Sequence, residues 1–324
     1  MKQVSVVVLT YTRFRDAAEH CLGSLAADPD FPDWEVKLVD NGSSDSERQA
    51  IAEAQSRYPN LDIVRLERNA GFPGGMNAGL AAAAGEFICL ASSDVLVPAG
   101  TVERLVDAMN ADPDIGMISP VNNAAGNEQQ IFVKPELPVA GVLRVGSAFS
   151  EAGGPEASRL SAYRLDFCFV CLRRSVYDSL GGLDEAFNPG YYEDFDYSLR
   201  ARDAGYRVCI AENAFVYHEG GATFGGVSKK TKDLIKRNKK YFLSKHGARV
   251  RMPHVRDANL AILGQYADRI GTVSAAPRLR VENRLALAHD NQPRSFFKRW
   301  RYRRRLAVVE RRLVRGLKPD NAHA

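Results

Sequence analysis

Five short apolar runs, at residues 4–9, 36–39, 63–66, 87–91 and 115–119, alternate with helical patterns through the first ~120 residues, and no other feature narrows the fold as much. Strands that are apolar at every position are buried on both faces, and strands separated by helices pair in parallel with crossover connections. The intervening helices are expected at residues 16–27, after Ser46 with Ile51, Ala54 and Tyr58 inward, at 76–84 and at 101–110. The expected fold class is therefore α/β. Right-handed crossovers place the C-terminal ends of the strands on one rim, where ligands bind in such sheets.

Periodicity fades between residues 120 and 163, a stretch rich in Gly, Ala, Asn and Pro that reads as a long loop region with one hairpin. Regular structure resumes with a strand from Leu165, a helix from about Arg174, a tight Gly181-Gly182 turn and a helix beginning near Glu193. Two short strands follow, at 207–211 and 214–218, then a Lys-rich helix at 229–245 and another at 259–266. At ~150 residues per domain, 324 residues suggest two units, or one large α/β domain with an appendage.

The formal charge of +5 is unevenly spread. Residues 294–318 hold eleven Lys and Arg against one acid, Glu310, so this tail carries +10 and the rest of the chain −5. Tyr302, Leu306, Val309, Leu313 and Leu317 recur at helical spacing behind Phe296, Phe297 and Trp300. A basic helix with an apolar stripe suits an anionic membrane surface, or packing on the catalytic body or another subunit; no nucleic-acid motif accompanies it. No run approaches the ~20 apolar residues of a spanning helix, and the first residues do not read as a signal peptide. The five cysteines are odd in number and scattered. Cys168-x-x-Cys171 lacks a second pair for zinc and sits in strand-like sequence, so the two are expected on opposite faces, buried, reduced and structural. A cytoplasmic location is expected, with the inner face of the cell membrane as a further one.

Polar clusters stand where strands end. Asp40-Asn-Gly-Ser-Ser-Asp45 follows the second strand, Asn69-Ala-Gly-Phe-Pro-Gly-Gly-Met-Asn-Ala-Gly79 the third, and Ser92-Ser-Asp94 the fourth. The glycine spacing is not that of a dinucleotide fingerprint, and turn chemistry outweighs phosphate binding for such a segment alone. Asp94 directly follows a buried strand, where a carboxylate needs a cation, hydrogen-bond donors or a capping role. Glu193, Asp194 and Asp196 crowd three acids beside Tyr191, Tyr192, Phe195 and Tyr197. They either complement a helix N-terminus or raise one another's pKa to suit a general base.

In this order, Val7-Val-Leu-Thr-Tyr11, Val39-Asp-Asn-Gly-Ser-Ser-Asp45, Asn69-x-Gly71, Asn77-x-Gly79, Ser92-Ser-Asp94, Gly181-Gly-Leu-Asp-Glu-Ala-Phe187, Tyr192-Glu-Asp-Phe-Asp-Tyr-Ser-Leu-Arg-Ala201, Gly205-Tyr206 and Val216-Tyr-His218 resemble the family 2 glycosyltransferases, and within them the rhamnosyltransferase-like branch. The resemblance covers about residues 3 to 225. It implies a GT-A fold, a Rossmann-like mixed sheet flanked by helices: a catalytic domain over 1–225 (nucleotide-sugar half 1–120, acceptor half 121–225), followed by a helical extension over 226–324 with the basic tail. It implies inverting transfer of a sugar, such as the deoxyhexose rhamnose, from a nucleotide diphosphate donor to a hydroxyl of a glycan or lipid-linked acceptor.

By the same resemblance, Thr10, Tyr11, Arg13, Asp40, Asn69, Gly71, Asn77, Ser92 and Ser93 bind the nucleotide sugar. Asp94 and His218 hold a divalent cation, Mg2+ or Mn2+. Asp194 is the catalytic base, with Glu193 and Asp196 supporting it. Two positions depart from the family pattern: only one acid remains in Ser92-Ser93-Asp94, and Thr12 stands before Arg13 where many relatives carry Asn. The competing functions are a sugar nucleotidyltransferase, whose Gly-rich basic loop is missing after the first strand, and a non-catalytic membrane-surface scaffold.

Overall fold

A computed structural model describes residues 3–152, 159–220, 228–247, 250, 253–269 and 278–317. The first half alternates β1 (Val4–Thr10), α1 (Glu19–Ala26), β2 (Glu35–Asn41), α2 (Asp45–Gln55), β3 (Leu61–Leu66), α3 (Gly71–Ala82), β4 (Phe87–Ser92), β5 (Val95–Leu96), α4 (Thr101–Asn110) and β6 (Ile115–Asn122). A π-helical turn at Phe14–Ala18 leads into α1, so the expected first helix is regular only over its second part. Then come α5 (Val139–Glu151), β7 (Arg159–Ser161), β8 (Phe169–Arg173), α6 (Arg174–Leu180), α7 (Glu193–Asp203) and β9 (Arg207–His218). Four helices end the chain: α8 (Lys229–His246), α9 (Val255–Arg269), α10 (Arg278–Asp290) and α11 (Phe296–Leu317).

The strands form one mixed sheet in the order β3-β2-β1-β4-β8-β6-β9-β5, with β7 on β9. β3, β2, β1 and β4 are parallel; β8 runs antiparallel to both β4 and β6, and β6 is parallel to β9. Period-2 alternation splits β1 between two cores. Val6 and Val8 pack with Leu22, Leu25, Ile51, Leu105 and Met109 from α1, α2 and α4. Val7 and Leu9 face the other way, with Met76 and Leu80 of α3, Phe149 of α5 and Tyr197 of α7. Tyr266, Val281, Tyr302, Leu306 and Leu313 of the last three helices belong to that same second core.

The glycine run after β3 is mostly helix. A Cβ at Gly79 would stand 2.2 Å from Val7 Cγ1, and one at Gly75 2.4 Å from Leu9 Cδ1, so α3 lies directly against β1 because these side chains are missing.

The structure corrects four expectations. The stretch after residue 120 is not a long loop: β6 extends to Asn122 and α5 occupies Val139–Glu151. α5 was hidden by small residues used for close approach, since Gly146 rests against the Phe215 ring of β9. The two expected short strands are one twelve-residue β9, whose polar Glu212-Asn213 centre is absorbed by a register irregularity against β6. β8 begins at Phe169 rather than Leu165, because the Asp166 carboxylate accepts the Cys168 N–H (2.9 Å) and bends the chain before the strand starts. Cys168 and Cys171 therefore pack in the same apolar cluster rather than on opposite faces. All five cysteines are buried and free.

Two substitutions test the role of helix–sheet contact. Gly79→Val should cost about 1–3 kcal/mol or more by overpacking against Val7. Gly23→Ala in α1, where an added methyl meets nothing within 4 Å, should add about 0.4–1 kcal/mol. Urea denaturation of both variants checks the contrast; equal effects would contradict the packing described.

Candidate active site

β1, β2 and β4 end side by side at Thr10, Asn41 and Ser92, as their parallel registers require. The rim they form opens on a pocket of 210 Å³ lined by Thr10, Tyr11, Arg13, Asn69, Gly71, Ser92 and Ser93, seven of the nine expected nucleotide-sugar residues. Thr10 is buried, with its hydroxyl lacking a hydrogen-bond partner. Arg13 adopts a left-handed backbone (φ 59°), its N–H donating to Glu47 Oε1 (3.0 Å) and its guanidinium reaching Glu219 (3.3 Å).

The other two expected residues lie elsewhere. Asp40 is fully buried behind the rim, accepting the Ser43 N–H (2.9 Å) with Arg48 Nε 3.6 Å away. Its neighbour Asn41, which sequence reasoning missed, faces the pocket. Asn41 Oδ1 accepts the Ala70 N–H (2.8 Å) while its amide donates to Asn69 Oδ1 (3.2 Å) and the Gly71 carbonyl (3.1 Å). The alternation of a strand end explains the swap: of two adjacent residues only one can point into the cleft. Asn77 staples the turn before α7. It donates to the Leu183 carbonyl and Glu185 Oε1 (both 2.9 Å) and accepts the Leu183 N–H (2.7 Å).

A second pocket, of 470 Å³, adjoins the first and shares Phe72 and Ser92 with it. Asp94 and Asp194, one hundred residues apart in sequence, both line it, with Arg164, Asp166, Cys168, Glu193 and His218. Asp94 sits where β4 passes into β5, and the β5–β9 pairing places His218 beside it, His218 Nε2 to Asp94 Oδ2 being 3.5 Å. Asn123 fixes His218 from the far side, accepting its N–H (2.8 Å) and donating to its carbonyl (2.9 Å). Burial alone would lower the His218 pKa, but the carboxylates of Asp94, Asp166 and Glu219 together raise it. His218 Nδ1 has no hydrogen-bond partner.

Asp166 and Cys168 are further residues missed from sequence. Their ligand atoms and that of His218 lie within 4.8 Å of one another. Spacing carried no signal for this pair, because Asp166 and Cys168 meet through a bend that precedes β8. Burial raises the Asp166 pKa against the pull of His218, and it holds the Cys168 thiol well above its ordinary value, with Asp166 and Asp94 adding to the effect. Carboxylate oxygens and an imidazole make a donor set for a hard or borderline divalent cation; the thiol adds a soft donor. Among the described residues, an orphaned imidazole nitrogen beside buried acids fits such an ion.

Tyr191 (φ 72°) and Tyr192 (φ 82°) hold left-handed backbones immediately before α7 and set the direction of its first turn. There Asp194 accepts the Phe195 N–H (2.7 Å), with Arg164 NH1 3.8 Å from its other oxygen. Burial pushes Asp194 up to about 6, with Arg164 opposing. Glu193 is raised well above the usual carboxylate range by burial and by Asp194, and its Oε2 has no partner.

Asp196 does not join them. It is fully buried on the far side of α7, bound to His246 Nε2 (2.6 Å), Lys245 Nζ (2.7 Å) and Arg200 Nε (2.9 Å). A residue two places on in a helix is rotated about 200° away, so three clustered acids could not share one pocket. Its expected support of catalysis is at most indirect, through the packing of α7 on α8.

Comparisons with known proteins agree with this geometry. The model of glycosyl transferase family 2 matches residues 5–177, more than half of the chain. An uncharacterized glycosyltransferase of Nostoc sp. is 27% identical over 129 residues, covering 40% of this chain and only 39% of that protein. The N-acetylglucosaminyl-diphospho-decaprenol L-rhamnosyltransferase of Mycobacterium tuberculosis is 28% identical over 246 residues, 68% of this chain and 77% of its own. Among solved structures, a mannosyltransferase of Pyrobaculum calidifontis in complex with GDP-Man and Mn2+ is similar with a TM-score of 0.53 and 19% identity, over 97% of this chain and 87% of that one. At such identity the likeness establishes the shared GT-A architecture. With its mixed sheet, its strand-end cleft and a family match running from β1 into α6, the chain belongs to glycosyl transferase family 2.

Proposed function

We propose that this glycosyltransferase moves a sugar from a nucleotide diphosphate to an acceptor hydroxyl with inversion at the anomeric carbon. The observation that carries the reading is that Asp94 and Asp194 line one pocket, continuous through Phe72 and Ser92 with the pocket at the ends of β1 and β4. In this reading the nucleotide occupies the first pocket, against Thr10, Tyr11, Asn41 and Asn69, and its sugar extends past Phe72 into the second.

Asp94 and His218, with Asp166 and Cys168 beside them, would hold the divalent cation. When bound, it neutralises the charge that the leaving diphosphate gains. Asp194 takes the proton of the attacking hydroxyl, so that one displacement inverts the centre and no enzyme nucleophile is required. Arg164 opposes the burial that raises Asp194 and so favours its ionised form. Burial and the neighbouring Asp194 raise Glu193 well above the usual carboxylate range, which favours its neutral form beside the base. The mycobacterial relative's name supplies the substrate class: L-rhamnose as the transferred sugar and a lipid-linked diphosphate glycan as acceptor.

Asp194→Asn should lower kcat by about 10²- to 10⁴-fold while nucleoside diphosphate binding, read by calorimetry, is unchanged. Full turnover by this variant would remove Asp194 from the chemistry. The wild-type rate should rise with pH through a midpoint near 6, because the base must be ionised, and Arg164→Gln should move that midpoint upward. The folded-state pKa of Asp194 lies above its ordinary value. The ionised form therefore costs stability, and the cost sets in as pH rises from about 4 through 6. Asp194→Asn should accordingly raise Tm at pH 7 and leave it unchanged near pH 4, as calorimetric scans at the two pH values can check.

The thiol has its own test. Co2+ added to the protein should produce a sulfur-to-cobalt charge-transfer absorption that is absent in Cys168→Ser. Identical spectra from the two proteins would place Cys168 outside the ion's reach.

A further inference from the structure

The helix α11 has two apolar faces, and the fold consumes only one. Tyr302, Leu306 and Leu313 are buried in the second core, Val309 packs against it, and Tyr302 Oη donates to the Ala288 carbonyl (3.1 Å). The stripe anticipated from sequence is thus a packing face, with Leu317 lying outside the described side chains. At 100° per residue, Phe296, Phe297, Trp300, Val308 and Val314 project from the opposite side. They are 77%, 76%, 52%, 49% and 57% exposed. They account for five of the nine large hydrophobic residues most exposed among the described residues, all on one helix.

Basic side chains frame this outer face. Arg304 lies over the Trp300 ring at 4.8 Å, and the Phe296 and Phe297 rings meet edge to face at 5.6 Å. Arg305 and Arg312 are taken up by Asp257 and Asp268 on α9. Arg301 and Arg311 have no acidic partner among the described residues. The helix is therefore clamped to the body by one set of arginines and one apolar stripe, and offers a second set outward.

We propose that the outer face of α11 docks on an anionic lipid bilayer, its aromatic end at the depth of the headgroups and Arg301, Arg304 and Arg311 against lipid phosphates. Charge excludes the same face of a second copy as occupant, since two such surfaces would repel. Val308 and Val314 argue against nucleic acid, because aliphatic side chains offer bases nothing to stack on. No described helix is long and apolar enough to cross a membrane, so the contact is superficial.

This goes beyond the transfer reaction and is measured without donor or acceptor, so its failure leaves that reading standing. The full-length protein should co-sediment with phosphatidylcholine vesicles containing phosphatidylglycerol, but not with phosphatidylcholine alone, and salt should weaken the binding. Trp34 is buried, so a blue shift of tryptophan emission on binding reports Trp300.

Arg301→Gln with Arg304→Gln and Arg311→Gln should weaken partition about a hundredfold, at ~1 kcal/mol per cation. Phe296→Ser with Phe297→Ser and Trp300→Ser should abolish it, while slow donor hydrolysis and Tm stay unchanged in both triple variants. Retained binding by either variant overturns the proposal. So does the absence of vesicle binding, whether the face then captures an oligonucleotide or pairs two copies in light scattering.

Discussion

β8 enters the sheet between β4 and β6 and runs against both, and this antiparallel insertion creates the cleft. Had β8 joined in parallel, its beginning would lie at the opposite edge from the end of β4. Antiparallel pairing aligns Ala91 with Phe169, so the residues just after β4 and just before β8 meet at the same rim. Asp94 is brought to Asp166 and Cys168 in this way. β9, parallel to β6, then ends beside β5 and delivers His218 to the same place. Four ligand-type side chains from three distant stretches converge chiefly because strand pairing sets where each strand ends, with Asn123 and the Asp166 bend fixing the last details.

The first half of this arrangement was legible because its code is local. Mostly apolar runs of four to six residues define the strands, and helices between them force parallel order. The second half was less so, for opposite reasons at different places. α5 places Gly141 and Gly146 among its buried positions beside Val142 and Phe149, which thins its apolar stripe, and α10 buries Arg280 and Arg284 beside Val281, Leu287 and Ala288, so its inward face does not read as apolar. Glu212-Asn213 looked like a turn because a glutamate inside a sheet makes sense only once its partners are known.

The site shows the same division. Asp94, Asp194 and His218 stand in motif positions, whereas Asn41 and Asp166 act through pairings that spacing does not encode. Asp196, two residues beyond Asp194, lies outside the pocket, because three acids in four residues look like one cluster until helix rotation separates them.

Arg284 donates to Glu212 Oε1 (2.9 Å) and to the carbonyls of Glu128 and Gln130 (both 2.8 Å), Tyr266 Oη bonds the same carboxylate, and Arg280 donates to the carbonyls of Phe149 and Ser150 (both 3.0 Å). A buried ion pair contributes little net stability, since desolvation offsets most of its attraction, but breaking one leaves a stranded charge. Such a network therefore specifies more than it stabilises. It admits α9 and α10 in one position only, over the centre of β9, and so fixes the strand whose last residue is His218. The C-terminal helices are in this sense part of the cleft's support.

Strain at the start of α7 has a similar foundation. Two consecutive non-glycine residues in the left-handed region cost on the order of 1–3 kcal/mol each, and Glu193 adds a buried carboxyl and Asp194 a partly buried one with few donors. The opposite side of α7 holds what offsets this. Asn238 of α8 donates to the carbonyls of Phe187 (2.7 Å), Gly190 (2.8 Å) and Tyr191 (3.0 Å), gripping the strained turn, and Asp196 gathers Arg200, Lys245 and His246. Phe195 stacks on Phe242 at 4.6 Å between them. The acid that lines the pocket and the acid that secures its helix are neighbours on opposite faces of one turn. A carboxylate can be kept poorly solvated, and hence basic, because the one behind it is so thoroughly paired.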